Sequence, residues 1–436
     1  MFFTSLRNQK RVPKKVLIIA YYWPPAGGPG VQRWLKFVKY LPEFNIAPVV
    51  FVPKNASYPI IDKSLEAEVS KAVEVIKLPI SEPYKFAKFF SKGKTKAISK
   101  GIISAHKKQS LTEKTLLYLR GNFFIPDARV GWVKPATSFL LNYISKHNIE
   151  TIITTGPPHS MHLIGLNLKR KLGMRWVADF RDPWTTIGYH KQLKLSASSQ
   201  KKHKSLEQQV LSEADDVIVT SSVTKQEFKN ITHQPITVIT NGYDDEVTQP
   251  ITLDIKFSIA HIGSLLSKRN PEILWKAFAD LVSEHDNFAT DFQLNLVGFV
   301  SEDILETLVK YDLMRYTNDV GYVSHIESIA YQKKSQVLLL IEIDSEDTKS
   351  IIPGKLFEYM VSNRPILAVG PSGSDIELII KNTNTGVFFN YEDLESLKKT
   401  ILEYYKLYKS GSLQTNPVGL ELYHRKALTK ALSKLL

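Results

Sequence analysis

The chain contains no cysteine among its 436 residues. Disulfide bridges, zinc–thiolate sites and a cysteine nucleophile are therefore excluded, and the composition fits a reducing compartment. Long apolar runs are also missing: the longest, at residues 16–23 and 337–341, fall far short of the roughly 20 residues that a membrane-spanning helix needs. The first residues place apolar side chains before charged ones, which is the wrong order for a secretory signal. A cytoplasmic location is predicted.

Length and composition predict a packed protein with two domains or slightly more. A chain of 436 residues is too long for one ordinary hydrophobic core. Hydrophobic residues make up 43% and charged residues 23%, which are ordinary globular values and give no reason to expect wholesale disorder.

Much of the formal charge of +14 is concentrated in one segment. Residues 85–108 contain eight lysines and neither Asp nor Glu, and phenylalanine and isoleucine residues lie between the lysines. This pattern is typical of a helix on an anionic membrane surface, to which each lysine contributes about 1 kcal/mol. A solvated helical insertion whose aromatic residues face the domain core is the alternative. Nucleic acid is a third option, but no recognisable nucleic-acid module accompanies the charge, and no such partner is predicted.

Buried strands and amphipathic helices alternate along the chain in two series. In the first series, strands are predicted at residues 15–20, 48–52, 72–78, 151–155, 176–180, 216–220 and 236–240. After the turn dipeptide Asn241-Gly242 a second series begins, with strands predicted at residues 257–262, 292–297, 336–343 and 365–369. Such alternation predicts an α/β fold with two doubly wound, Rossmann-like lobes.

The domain boundaries follow from these two series. The first lobe is predicted at residues 1–245, with the basic segment as an insertion at about residues 84–117. The second lobe is predicted at residues 246–410. Residues 411–436, which end in an amphipathic helix, are predicted as a separate C-terminal segment.

A glycine-rich loop follows the first predicted strand and precedes a helix, an arrangement that often binds phosphate. The dinucleotide fingerprint fails, because Arg33 stands where its third glycine is needed. The second strand also ends without an Asp or Glu for a ribose diol, which argues against an NAD-linked oxidoreductase. A Walker loop is absent as well. Gly27 and Gly28 remain candidates for close approach of the backbone to a ligand, and a plain tight turn is the alternative.

Seven segments occur in the order and at the spacings of one known family; they lie at residues 24–30, 125–132, 156–165, 178–184, 241–244, 263–264 and 353–358. Through them the chain resembles the family 4 glycosyltransferases over essentially its whole length. The resemblance implies the GT-B fold, with two Rossmann-like lobes, an interlobe cleft and a C-terminal helix that crosses back to the first lobe. It also implies a nucleotide-diphosphate sugar in the C-terminal lobe, an acceptor in the N-terminal lobe, retention of anomeric configuration, and no metal or other cofactor.

In the second lobe the resemblance implies a donor-binding loop at Gly263 and Ser264. It also implies that Lys268, shortly after this loop, neutralises the diphosphate, with Arg269 as a second candidate for this role. Fixed positive charge there lowers the barrier, because cleavage of the glycosyl bond leaves a dianionic nucleoside diphosphate and an oxocarbenium-like sugar.

The resemblance also implies that Glu358 binds the donor ribose hydroxyls; an exposed helix carboxylate is the alternative. Lys355 lies three residues earlier, on the same helix face, within reach of the diphosphate or the sugar. The family's first glutamate, eight positions before the second, is replaced by Ser350, and this departure leaves recognition of the sugar hydroxyls open. The acidic run at residues 342–347 suggests a metal site, but such neighbours are usually solvated loop carboxylates, and no metal is expected.

In the first lobe the resemblance places Gly27 and Gly28 in the loop that faces the donor phosphates and the acceptor. His159 and His162 follow the fourth strand, where the family often has a histidine near the reacting centre. Either histidine could orient a hydroxyl group or share charge in catalysis. A surface histidine or a satisfied core histidine is the alternative for each.

Five further residues are predicted on the acceptor side. Asp179, Arg181 and Asp182 end the fifth strand, at the edge where open α/β sheets bind ligands. An internal Arg–Asp ion pair is the alternative for these three. Asp127 and Arg129 are additional candidates for acceptor contacts.

Taken with the resemblance, the sequence predicts a retaining hexosyltransferase that passes a sugar to a glycan or lipid-linked acceptor in bacterial surface polysaccharide assembly. Peripheral attachment to the inner face of the cell membrane is expected from the basic segment. A nucleotide-sugar epimerase of the same fold is one alternative; it needs a donor but no acceptor. A non-catalytic scaffold that binds a nucleotide sugar is the other, and Ser350 keeps it open.

Overall fold

The computed structural model describes residues 12–82, 111–191, 193–245 and 251–436. The lysine-rich segment at residues 85–108 lies outside these ranges, so its role at an anionic surface stays a prediction. The chain divides into two compact units. The first consists of Met1–Thr220, Thr224–Ile239 and Arg425–Leu436, and the second of Ser221–Val223 and Thr240–His424.

The first unit is built on a parallel sheet of seven strands. They are β1 (Lys14–Ile19), β2 (Ile46–Lys54), β3 (Glu74–Pro79), β4 (Thr151–Gly156), β5 (Arg175–Phe180), β6 (Asp216–Val219) and β7 (Ile236–Val238). Their order across the sheet is β3-β2-β1-β4-β5-β6-β7. The central strands are apolar on both faces, since a doubly wound sheet is covered on both sides.

The helices of this unit are α1 (Pro29–Tyr40), α2 (Leu111–Phe123), α3 (Val130–His147), α4 (Ser160–Leu172), α5 (Gly188–Lys191), α6 (Ala197–Glu213) and most of α7 (Ser222–Lys229). Helix α1 illustrates why they form. Pro29 occupies its first turn, where a missing N–H costs nothing. Val31, Leu35 and Val38 recur at helical spacing and are buried against the sheet.

The second unit contains a parallel sheet of six strands. They are β8 (Phe257–Ile262), β9 (Phe292–Val297), β10 (Thr317–Gly321), β11 (Val337–Ile341), β12 (Ile366–Val369) and β13 (Gly386–Phe389), in the order β10-β9-β8-β11-β12-β13. Its helices are α8 (Glu272–Glu284), α9 (Asp286–Asp291), α10 (Glu302–Lys310), α11 (His325–Lys334), α12 (Gly354–Met360), α13 (Asp375–Thr383) and α14 (Leu394–Lys409). The predicted α/β class with two doubly wound sheets is confirmed.

The last helix, α15 (Arg425–Ser433), belongs to the first unit. Leu428 and Leu432 share a buried core with Val31 and Leu35 of α1. Arg175 of β5 donates from Nε to the carbonyl oxygen of Leu435 at 3.1 Å. Hydrophobic burial and this hydrogen bond together fix residues 425–436 in the first unit, whereas residues 411–424 belong to the second.

Two strands of the second sheet, β10 and β13, are missing from the sequence prediction. Both lie at the sheet edges and are largely half-buried or exposed. An edge strand packs on fewer neighbours and does not need the continuous apolar run by which a central strand is predicted. No helix in the described part of the chain is long and apolar enough to cross a bilayer.

Candidate active site

In each sheet the strand order reverses next to the first strand of the unit. The reversal lies between β1 and β4 in the first sheet and between β8 and β11 in the second. In open α/β sheets, ligands bind outside the carboxyl ends of the strands at such a point. The residues that follow these strands are therefore the first place to look for a site.

In the second unit the loop after β8 begins with Gly263, whose φ is +113°. Only glycine adopts this conformation without strain. A Cβ on Gly263 would lie 3.5 Å from Nζ of Lys355. Ser264 is exposed beside it. The glycine thus allows the loop to turn while its backbone stays close to the lysine.

Lys355 stands in the first turn of α12 and points at the end of β8. Its Nζ donates to the carbonyl oxygen of Ile262 at 3.2 Å and lies 3.3 Å from Nε2 of His261. Burial lowers the pKa of Lys355 to about 8, and the nearby Glu342 carboxylate opposes that shift. Burial, and then the charge of Lys355, hold the pKa of His261 well below its usual value. His261 is therefore a neutral neighbour of Lys355, which carries its charge below about pH 8.

Glu342 follows β11 directly and is 2% exposed. Arg269, in the loop after β8, donates from Nη2 to its Oε2 at 3.3 Å. Burial raises the pKa of Glu342, while Arg269 and Lys355 act in the opposite direction. We refer to His261, Arg269, Glu342 and Lys355 as the β8–β11 cluster.

Burial of Glu342 corrects one prediction. The run at residues 342–347 was expected to consist of solvated loop carboxylates, and for Glu342 this is wrong. The residue continues the fully buried strand β11, so its side chain is still inside the unit. Glu346, by contrast, has a side chain that is 84% exposed, paired with Lys349. Within the described ranges, no group of three or more His, Cys, Asp or Glu residues is arranged to hold a metal ion.

Glu358 lies one turn after Lys355 on α12 and is half-buried. Its Oε2 accepts a hydrogen bond of 2.8 Å from Nε2 of Gln332 on α11. Lys268 is exposed on the loop after β8, and Ser350 is half-buried in the segment before α12. The structure thus brings Gly263, Arg269 and Lys355 to the ends of β8 and β11. Glu358 lies one turn further along α12, and Lys268 precedes Arg269 on the loop after β8.

In the first unit, His159 and His162 follow β4 at the beginning of α4. His159 is 4% exposed, its ring stacks on Trp184 with centroids 4.9 Å apart, and neither ring nitrogen has a hydrogen-bond partner among the described residues. His162 is fully buried, with Nδ1 2.9 Å from Oγ1 of Thr154 and its ring stacked on Phe180. Burial lowers the pKa of His162 to about 3 and that of His159 well below its usual value. Both rings are neutral near pH 7.

Arg181 follows β5, and its guanidinium lies against the beginning of α1. Its Nη1 is 1.6 Å from the place that a Cβ on Gly30 would occupy, so a larger residue there would require the guanidinium to move. The guanidinium also donates to the carbonyl oxygen of Pro157. Gly28, with φ +107°, precedes α1 as its N-cap, and Gly27 packs against Ile60. Within residues 12–82, 111–191, 193–245 and 251–436, no carboxylate forms an ion pair with Arg181.

Asp127 and Arg129 hold local structure in the same unit. Asp127 accepts hydrogen bonds from the backbone N–H groups of Arg129 and Ser160, both at 2.9 Å, and so caps α4. The Arg129 guanidinium lies over the ring of Tyr21 at 4.6 Å and pairs with Glu82, which is 1% exposed, at 3.3 Å. The Arg129 side chain retains 13% exposure.

Asp179 is wholly buried, and both of its carboxylate oxygens accept hydrogen bonds. It accepts hydrogen bonds from Arg33 at 2.8 Å, from Nε1 of Trp34 at 2.9 Å and from Thr155 at 2.8 Å. Burial alone would raise its pKa, but Arg33 and Thr155 hold it below the usual value. An internal Arg–Asp ion pair is therefore present, with Arg33 rather than Arg181 as the partner. Asp182 is half-buried, and burial raises its pKa.

Residues 102–247 match the family model described as Glycosyltransferase Family 4. The resemblance to the family 4 glycosyltransferases is thereby confirmed. No curated protein matches the chain. The match of a family 4 model to the first lobe agrees with the order of the sequence motifs, four of which lie wholly within the matched residues.

Solved structures with similar folds cover almost the whole chain. Sucrose-phosphate synthase from Thermosynechococcus elongatus has a TM-score of 0.58 at 14% identity, covering 97% of this chain and 98% of its own. A mutant of TarM from S. aureus, in complex with Fondaparinux, alpha-GlcNAc-glycerol and UDP, has a TM-score of 0.57 at 12% identity, covering 97% and 99%. A proposed UDP-N-acetylglucosamine 2-epimerase from Listeria monocytogenes has a TM-score of 0.52 at 13% identity, covering 96% and 95%. These likenesses confirm the GT-B fold, and with the family 4 match they support a glycosyltransferase.

Three contributors to these sites are absent from the sequence prediction: Arg33, Glu82 and Glu342. Arg33 was noted only because it breaks the dinucleotide fingerprint. Its buried position on the core face of α1 is a usable signal, since a buried arginine needs a carboxylate. Glu342 has a comparable signal, because it continues an apolar strand without an intervening turn residue. Glu82 has none, because its partner Tyr21 is 61 residues away along the chain.

Proposed function

We propose that the protein is a retaining, metal-independent hexosyltransferase that moves a sugar from a nucleotide-diphosphate sugar to a glycan or lipid-linked acceptor in surface polysaccharide assembly. The β8–β11 cluster is the observation that carries this proposal. Two cations, Arg269 and Lys355, stand beside a glycine turn where the strand order of the second sheet reverses. Donor recognition is assigned to this edge.

The chemistry of the leaving group explains the choice of residues. Transfer breaks the bond between the anomeric carbon and the phosphate oxygen, and the electron pair stays on the diphosphate. Arg269 and Lys355 stabilise the developing charge from fixed positions, and exposed Lys268 adds a third cation. Protein cations thus take the role that a metal ion has in other phosphate sites. Gly27, Gly28 and the loop of Gly263 and Ser264 allow the backbone to approach the phosphates.

Glu358 is assigned to the ribose hydroxyls. A carboxylate accepts from two neighbouring hydroxyl groups, and Gln332 orients this one through a hydrogen bond to Oε2. Hydrogen bonds to a charged group contribute about 1.5–3 kcal/mol. Glu358 therefore supplies about tenfold or more of the donor affinity.

The acceptor and the reacting sugar are assigned to the first unit. Arg181 has a guanidinium without a carboxylate partner in the described ranges, and Arg129 is partly exposed beside Tyr21. His159 is neutral and follows β4, and neither of its ring nitrogens has a hydrogen-bond partner among the described residues, so it suits a hydroxyl group that must be oriented. His162, held by Thr154, supports it, while the hydrogen bonds of Asp127 and Asp179 keep the surrounding loops in place. Asp182, half-buried after β5, is kept as a candidate for an acceptor contact.

Donor binding tests this assignment directly. Glu358→Ala and Lys268→Ala are expected to bind UDP or GDP roughly tenfold more weakly than the parent in calorimetric titrations. Lys310→Ala is the matched control, because Lys310 is an exposed helix lysine of the same unit that pairs with Glu272 on the surface. If both variants bind every nucleoside diphosphate as tightly as the parent, the donor-site assignment is wrong.

An epimerase remains the second candidate because of the fold similarity to the proposed UDP-N-acetylglucosamine 2-epimerase. That activity would isomerise the donor in the absence of an acceptor. A non-catalytic scaffold would bind the donor without turnover, and Ser350 in place of the family's first glutamate is the feature that favours it. Product analysis by NMR, with and without a lipid extract as acceptor source, separates the three outcomes.

We also propose that the lysine-rich segment at residues 85–108 attaches the protein to an anionic membrane surface. The support is its charge, eight lysines without Asp or Glu. Co-sedimentation with liposomes should increase with the fraction of phosphatidylserine or phosphatidylglycerol and decrease with salt. Binding that changes neither with the fraction of anionic lipid nor with the salt concentration would contradict this proposal.

A further inference from the structure

We propose that Glu342 is a positioning residue for the leaving diphosphate: its buried carboxylate fixes Arg269 and Lys355 in the places from which they act. This inference rests on the proposed donor site. It concerns a residue outside the motifs of the family resemblance, eight positions before Ser350.

The burial of Glu342 favours an action through its neighbours over direct contact with the substrate. The residue is 2% exposed, and its Oε1 is buried without a hydrogen-bond partner among the described residues. Its Oε2 accepts from Nη2 of Arg269 at 3.3 Å. Tyr391 fixes the backbone at this point, because its hydroxyl donates to the carbonyl oxygen of Glu342 at 2.5 Å.

The Arg269 guanidinium has few other anchors in the part of the chain that the structure describes. Its Nε is buried without a hydrogen-bond partner, and the loop that carries it is otherwise held by backbone bonds such as that from Arg269 N–H to the carbonyl oxygen of Leu266. Removal of the Glu342 charge would leave a half-buried guanidinium without its carboxylate. A free arginine samples many rotamers and loses its geometry toward a phosphate.

Glu342 also decides the charge of Lys355. Among the groups that face Lys355, Glu342 is the strongest opponent of the burial that lowers the lysine pKa to about 8. Arg269 lowers this pKa further, Glu358 on the same helix raises it, and His261 is neutral beside Nζ. Without Glu342, two cations would face each other in a buried place, and Lys355 would lose its proton at a lower pH.

The experiment measures UDP and GDP binding by calorimetry between pH 6 and pH 9.5. Glu342→Gln keeps the shape of the side chain and removes its charge. We expect about tenfold weaker binding at pH 7. The alkaline midpoint, which is the pH at which half of the binding is lost as Lys355 is deprotonated, should lie at least about half a pH unit below that of the parent. Glu346→Gln is the control: Glu346 lies in the same acidic run but is exposed, so both readouts should stay within about twofold of the parent.

A second variant keeps the proposal testable if Glu342→Gln does not fold. Glu342→Asp retains the charge but draws it back by one methylene group, so the alkaline midpoint should stay near that of the parent while affinity decreases. In an Arg269→Gln background, Glu342→Gln should cost less affinity than in the parent, because the two residues act together.

The outcomes separate this inference from the proposed function. Failure of the parent to bind any nucleoside diphosphate would remove the donor site itself. Normal binding by the parent, combined with an unchanged alkaline midpoint and unchanged affinity in Glu342→Gln, overturns the positioning role and leaves the donor site in place. A structural role alone would lower stability without moving the midpoint, and that result also overturns the inference.

Discussion

The buried pair of Arg33 and Asp179 allows a quantitative test of whether Asp179 serves structure or the acceptor. Both side chains are fully buried and joined at 2.8 Å. Asp179→Asn keeps the size of the side chain but removes the carboxylate charge that faces the buried Arg33 guanidinium. Breaking such a pair costs about 3–5 kcal/mol. This is a large share of the roughly 5–15 kcal/mol by which a domain is stable.

The stabilisation by the Arg33–Asp179 pair also depends on pH. Arg33 and Thr155 outweigh burial and hold the pKa of Asp179 below its usual value. The stabilisation is therefore present above the pKa of the unfolded state and disappears as the pH falls through the folded pKa. In Asp179→Asn this acid-dependent part should be missing.

Urea unfolding followed by tryptophan fluorescence is the suitable assay. Five of the six tryptophans, at residues 23, 34, 132, 176 and 184, are buried in the first unit, so the signal reports mainly on that unit. With a slope of about 1–3 kcal/mol per molar urea, the midpoint should decrease by about 1 M or more. Asp182→Asn is the control, since Asp182 is half-buried at the same strand end, and its midpoint should change little. An Asp179→Asn protein of parental stability that lacks only acceptor-dependent turnover would refute the structural role.

Three further predictions concern charge and close packing. UDP binding should weaken as the pH rises through about 8, because Lys355 is charged below its pKa and neutral above it, and calorimetry at several pH values measures this. Gly30→Ala should displace the Arg181 guanidinium and reduce acceptor-dependent turnover while UDP binding is retained, as steady-state kinetics and titration would show. Burial lowers the pKa of His162 to about 3, so the contribution of this residue to the free energy of unfolding should fall by about 1.4 kcal/mol per pH unit as the pH falls from about 6.5 to about 3, and His162→Gln should reduce the pH dependence by that amount in urea titrations.

The fold was largely predictable because its central strands carry continuous apolar runs. All seven strands of the first sheet are predicted, and so are β8, β9, β11 and β12 of the second. The exceptions are the two edge strands: β10 is too polar for such a run, and β13 is too short. The alternation of strands and helices in two series was sufficient to predict the fold class.

The site was predictable only where a motif marks it. The helix that carries Lys355 and Glu358 and the turn at Gly263 are visible as local patterns. The partner of Arg33 is not, because Asp179 is 146 residues away and only the pairing of β4 and β5 beside β1 brings them together. Glu342 was misinterpreted for a related reason: its acidic neighbours suggested solvent, whereas its strand carries it into the interior.

The measurement that tests the central claim most directly is acceptor-dependent turnover. Purified protein is incubated with a panel of nucleotide-diphosphate sugars, with and without a lipid extract, and released nucleoside diphosphate is quantified. The account predicts release that requires the acceptor, survives EDTA, yields a retained anomeric configuration and decreases strongly in Glu358→Ala but not in Lys310→Ala. Donor isomerisation without an acceptor, or tight donor binding with no release from any sugar in the panel, would contradict it.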